Sequence, residues 1–263
     1  MSPHSGGDPV RRWPIIVGAL ACVALVVVLV TVLGSSPKGS FSPPPSAAAK
    51  ATAQRVIKQA SQSGNASTLV ATLHGPVPGS TTPGGAKTAT VPGSWLGAPS
   101  ELPVIAQEPG YLEVRLAQRP NGSTAWIPAA DATLSATPYR IVVDLGTEHL
   151  MLYKGGNLVL TAPAGIGTVQ DPTPTGDFFV AFDAKPPSSD WGAFIMVTSG
   201  HSNAISDWEQ SGDAIMAIHG PLGADAAIGT TGARVSHGCV RLHEADLIQL
   251  QAVLPGSPVQ VVS

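Results

Sequence analysis

From Ile15 to Leu33 the chain runs 19 residues without a charge, close to the length an α-helix needs to cross a bilayer. Arg11 and Arg12 precede the run and Lys38 follows it. The positive-inside rule then sets residues 1–14 in the cytoplasm and everything beyond about residue 34 outside. The expectation is a single-pass anchor in the cell membrane with the remainder on the extracytoplasmic side. Secretory signal peptides have shorter apolar cores. Cleavage after Gly34 is one alternative, and lipidation at Cys22 in "ALAC" is another. The apolar run continues eleven residues past Cys22, which suits a span better.

Beyond the run the pattern breaks into punctuated pieces. Residues 34–94 read as a Pro/Ser/Gly-rich linker. Within it, "AAAKATAQRVIKQASQSG" (47–64) favours a short helix stopping near Gly64. Alternation then sets in. Leu112, Val114 and Leu116 fall on one face and Tyr111, Glu113 and Arg115 on the other. Asn121-Gly122 signals a hairpin turn before a second strand, "TAWIP". With "SELPVIAQ", these strands predict a small SH3-like β module over 95–137; the plainer reading is the first part of one larger β domain.

From Tyr139 the chain predicts strands at 140–145, 149–154, 157–165, 178–183, 194–199, 214–220 and 258–263, with a turn at Gly155-Gly156-Asn157. One clear helix is expected in "EADLIQLQAVL", where Leu247, Leu250 and Leu254 recur at helical spacing. The fold class is therefore mainly β, with one or two short helices.

Composition narrows the function. The net charge is -3 and charged residues make up 12% of the chain, so nothing electrostatic points to nucleic acid. There are two cysteines, Cys22 and Cys239. With Cys22 in or near a membrane, they do not pair in an exported monomer. A free thiol in an oxidising compartment needs a reason.

The stretch "RVSHGCVRLHEADL" around Cys239 is rich in chemistry. The thiol is a buried filler, a metal ligand or a nucleophile. His237 lies two residues away and His243 four, a thin basis for zinc without a second Cys or a His-Glu-x-x-His motif. As a nucleophile the sulfur needs an imidazole to take its proton and form an ion pair. His219 ends the apolar strand "AIMAI" just before Gly220-Pro221, a rigid place to deliver a base. Amides near Cys239 offer an oxyanion site. His243 reads as a helix-start residue, and Asp171 and Asp177 as turn residues beside "PTPT". Trp191 and Trp208 flank a Gly/Ser-rich stretch suited to a lid, although packing is the favoured role for Trp208.

"IHG" and then "SHGCVRL", with 16 residues between His219 and Ser236, resembles the L,D-transpeptidase catalytic domain, the YkuD domain. "TPTGDF" and the opening strands share the likeness, which covers roughly 138–263. The resemblance implies that this stretch is a YkuD-like β-sandwich and that Cys239 attacks a peptide carbonyl to form a thioester. It implies that His219 is the base and that the Gly220 carbonyl orients its ring. Gly238 and Cys239 amides would lie near the oxyanion. Ser236, His237, Gly238 and Arg241 would hold the loop or meet substrate; Arg241 stands where other members carry Asn. The implied partner is a peptidoglycan stem peptide, giving 3→3 crosslinks, with carbapenem-type β-lactams as covalent inhibitors and no cofactor. Trimming as an L,D-carboxypeptidase, or a catalytically silent peptidoglycan-binding protein, are the alternatives.

Overall fold

The computed structural model describes residues 67–230 and 232–263. The anchor expected at 15–33, Cys22 and the helix expected at 47–64 lie outside them. Among the described residues no helix is long and apolar enough to cross a membrane.

The first strands are β1 (Thr68–Leu73), β2 (Val77–Gly79), β3 (Ala89–Val91), β4 (Ser94–Trp95), β5 (Ala98–Pro99), β6 (Glu101–Glu108), β7 (Tyr111–Arg115), β8 (Thr124–Pro128) and β9 (Ala132–Thr137). Five of them form an antiparallel sheet in the order β8-β7-β6-β1-β9. The expected boundary at 95 is therefore corrected, because β1, β2 and β3 fall in the segment read as linker. Their signal is weak for a physical reason. Leu69, Val70 and Ala71 are all buried, so both faces of β1 are covered and the period-two alternation of a half-exposed strand is erased. In β7, Leu112 and Val114 are buried while Tyr111, Glu113 and Arg115 are half-exposed, as the alternation predicts. Tyr111 and Trp126 are half-exposed.

The second half contributes β10 (Tyr139–Asp144), β11 (His149–Lys154), β12 (Asn157–Pro163), β13 (Ile166–Gly167), β14 (Gly176–Ala184), β15 (Ile195–His201), β16 (Ile215–His219), β17 (Arg234–Ser236), β18 (Val240–Arg241), the helix α1 (Glu244–Ile248) and β19 (Pro258–Val262). Eight strands order as β12-β11-β10-β19-β14-β15-β16-β18. The pairs β10/β19 and β16/β18 are parallel and the other neighbours antiparallel. The protein is mainly β among the described residues.

Two apolar cores meet at β14. Phe178 and Val180 belong to the core of the larger sheet, with Ile141, Leu150, Met196 and Ile218. Phe179 and Ala181 point the other way, into the core of the five-stranded sheet. That is why "FFVA" is a continuous apolar run: each face of the strand has its own cover.

The helix is shorter than expected. After Ile248 the chain tightens into i→i−3 bonds, Leu250 N to Leu247 O at 2.9 Å and Val253 N to Leu250 O at 2.9 Å. Three residues per turn put Leu247, Leu250 and Val253 on one buried face. Leu254, expected in the core, is 51% exposed.

Candidate active site

His219 is the last residue of β16, and β18 runs parallel to it with Ile218 opposite Val240 and His219 opposite Arg241. Residues two apart on a strand share a face. Cys239, just before β18, therefore stands on the side of His219 and Arg241, with its sulfur packed toward the Ile215 carbonyl at 4.0 Å. Positions 219, 239 and 241 thus share one face of this strand pair.

The His219 ring is held from two sides. Nδ1 lies 2.8 Å from the Gly220 carbonyl. A carbonyl only accepts, so Nδ1 carries the proton and Nε2 keeps the lone pair. The Trp191 ring lies against it, tilted by 45°, at 4.6 Å between centroids. Gly220 makes that contact possible. Its N–H donates to the Trp191 carbonyl at 2.8 Å, and a Cβ there would lie 2.7 Å from the Gly192 nitrogen. The strand end and the Trp191 turn touch backbone to backbone.

The loop before Cys239 is tied by Ser236, which is 2% exposed. Its hydroxyl donates to the Cys239 carbonyl at 2.5 Å and accepts from the Gly238 amide at 3.2 Å. The Gly238 amide, expected at the oxyanion, is thus engaged within the loop in this state. Gly238 has φ +116, a region that L side chains avoid. Arg241 donates from Nη1 to the Leu222 carbonyl at 3.3 Å, while its buried Nε finds no partner among the described residues.

Electrostatics set the resting protonation. Burial, then the charge of Arg241, push His219 down to about 4, against support from the Gly220 carbonyl. Withdrawal from solvent pushes the Cys239 thiol up, with the Ala217 backbone and the Arg241 charge working the other way. Both shifts favour the uncharged forms of the thiol and the imidazole.

His237 is 56% exposed at the rim, with Nδ1 2.6 Å from the Asp171 carboxylate. Trp208 lies over its ring at 4.7 Å. Two readings are corrected here. Trp208, taken as packing, is 40% exposed and lies against a rim residue of the site. Asp171, taken as a turn residue, fixes His237 across 66 positions of sequence, a distance over which no local signal exists. His243 precedes α1, with Nδ1 2.7 Å from Asp225. Among the described residues no group of three metal-binding side chains comes together.

Comparison with known proteins bears on this arrangement. The profile of the L,D-transpeptidase catalytic domain, YkuD, matches residues 138–261. A curated relative, YkuD of Bacillus subtilis, itself only provisionally described as an L,D-transpeptidase, is 30% identical over 118 residues, which are 45% of this chain and 62% of that protein. This chain thus spans about three fifths of the curated relative it matches. An LD transpeptidase solved with imipenem, LdtMt1, shares 18% identity over 84% of this chain and 88% of its own, at a TM-score of 0.39. L,D-transpeptidase 3 from Mycobacterium tuberculosis, solved with a faropenem-derived adduct, shares 18% over 56% and 76%, at 0.36. Structural likeness at these scores carries no weight. Residues 138–261 are thus similar in sequence to the L,D-transpeptidase catalytic domain.

Proposed function

We propose that the chain is a peptidoglycan L,D-transpeptidase that forms 3→3 crosslinks through a thioester on Cys239. The observation that supports this most is the shared face of Cys239, His219 and Arg241 on β16 and β18, with Nδ1 of His219 anchored on Gly220.

A pair favoured in its uncharged forms suits a concerted step. As the Cys239 sulfur attacks the carbonyl before the terminal D-alanine of a tetrapeptide stem, its proton passes to Nε2 of His219. Nε2 then delivers that proton to the departing D-alanine amine as the C–N bond breaks. The thioester remains. An amine from a neighbouring stem attacks it, gives its proton to Nε2, and the sulfur leaves and recovers the proton. The new amide is the crosslink, and no electron carrier or metal takes part in the balance. The charge of Arg241 favours the developing thiolate. Use of the Gly238 amide as an oxyanion donor would require its release from the Ser236 hydroxyl.

In this reading the run 15–33 anchors the chain as a single-pass protein of the cell membrane. The linker then carries the catalytic domain into the wall. The β module, SH3-like in its sequence pattern, sits beside the domain as a wall-facing companion. Carbapenem-type β-lactams would acylate Cys239 as strained analogues of the donor carbonyl.

The test is the full chain in detergent with tetrapeptide stems. Crosslinked dimers and free D-alanine are expected, with Cys239→Ala reducing both at least a thousandfold. Mass spectrometry with a carbapenem should find one adduct, on Cys239. Free D-alanine and tripeptide without dimers would make the enzyme an L,D-carboxypeptidase. Neither product and no adduct would leave a silent peptidoglycan-binding protein.

A further inference from the structure

The five-stranded sheet sends the loop between β7 and β8 onto the catalytic domain. Arg119 in that loop spends its whole guanidinium there. Nε donates to Asp213 at 2.8 Å, Nη1 to the Ser202 carbonyl at 2.8 Å and Nη2 to the Ile205 carbonyl at 3.1 Å. Asn121 joins it, donating to the His201 carbonyl at 2.7 Å and accepting from the His201 amide at 2.9 Å.

His201 ends β15, and the other partners lie on the two limbs of the loop between β15 and β16. Its neck is closed by the Ser202 amide donating to the Ala214 carbonyl at 2.8 Å. Ser202 and Ile205 lie on the outgoing limb and Asp213 on the return, so one planar fork braces both. Asp213 is anchored from below as well, its other oxygen 2.8 Å from Nδ1 of the buried His201, though not in aligned hydrogen-bond geometry.

The tip of the loop hangs from the same residue. The Asp213 carbonyl accepts from the Trp208 amide at 2.9 Å and from the Ser211 hydroxyl at 2.6 Å. Trp208 then lies on His237, two residues from Cys239. A continuous set of contacts runs from Arg119 through Asp213 and Trp208 to His237 at the rim.

We propose that Arg119 and Asn121 are positioning residues for the reaction. Through them the β module holds Trp208 as a fixed wall of the donor cleft, so the cleft is completed by a part of the chain outside the catalytic domain. Arg119 adds a side-chain clamp from the β module to the backbone bonds that already join the two limbs. An exposed ion pair alone adds little global stability, so the effect belongs to the loop and the cleft rather than to the fold. The kinetic part rests on the transpeptidase reading; the structural part does not.

Three variants of the full chain test it: Arg119→Ala, Arg119→Lys and Trp208→Ala. In Arg119→Ala, amide exchange at Trp208, Ser211 and Gly212 should quicken about tenfold or more, while β14 and β15 amides stay unchanged. KM for stem peptide should rise about three- to tenfold with kcat within about twofold, and alkylation of Cys239 by iodoacetamide should hold. Trp208→Ala should show the same KM rise, and the double variant no more than either. Arg119→Lys, a point charge without the fork, should recover less than half of the loss. Unchanged exchange in Arg119→Ala, or KM effects of Arg119→Ala and Trp208→Ala that multiply, would overturn the proposal. Asn121→Ala is the gentler variant should Arg119→Ala not fold, judged by the same exchange. A wild type inert on stems would sink the transpeptidase reading, leaving the exchange result to decide the brace.

Discussion

Gly220 acts entirely through its backbone. Its carbonyl fixes the His219 tautomer, its amide holds the Trp191 turn, and its missing Cβ admits Gly192. Gly220→Ala should cost about 1–3 kcal/mol through overpacking and tilt the imidazole, read as a lower Tm together with slower acylation. His219 makes the pH dependence specific. Its folded pKa, about 4, lies below the unfolded value of about 6.5, so the unfolded chain takes up the proton first. The stability this group contributes is fully present above about pH 6.5 and is lost as the pH falls toward 4. For the same reason the acid limb of acylation should lie near pH 4–5. The raised thiol gives the complementary signature: iodoacetamide alkylation of Cys239, followed on its own peptide, should keep climbing through pH 8–9. A plateau reached below pH 7 would mean an ion pair at rest, against the burial seen here.

Elements carry these residues into place. The parallel pairing of β16 with β18 is what brings position 219 to position 241, and the larger core behind it includes Leu247 and Leu250. Tightening after Ile248 replaces the expected 3.6-residue period with a three-residue one. Val253 is buried and Leu254 released. Leu250→Ala should therefore cost about 2–5 kcal/mol, whereas Leu254→Ala should be nearly silent, both by denaturant unfolding. Equal effects would restore the longer helix.

At the scale of the molecule, β14 serves two cores. Phe179 and Ala181 are covered by the five-stranded sheet, with Leu112, Ile127 and Leu134 around them. Residues 138–263 expressed alone should expose that face and bind a hydrophobic dye, and they should melt well below the chain that keeps residues 67–137. A fragment as stable as the longer chain would show that the sheet is a passive neighbour.

Much of this was legible in local pattern. Period-two alternation marks β7, the Gly155-Gly156 turn separates β11 from β12, and the spacing from His219 to "SHGC" names the chemistry before any fold is known. Local pattern fails wherever a second surface intervenes. β1 loses its alternation because both faces are buried. Asp171, 66 residues from His237, reads as turn chemistry because nothing near it in sequence refers to that ring. Arg119 and Asp213, 94 residues apart, carry no mutual signal in a single sequence. The order of residues by itself determined most strands of the second half and singled out Cys239 and His219 as the candidate nucleophile and base, since these rest on short-range periodicity and on side-chain type. Only the tertiary structure decided the burial that favours the uncharged forms of those two groups, and the position of Trp208, since burial and long-range contact depend on what the folded chain brings alongside.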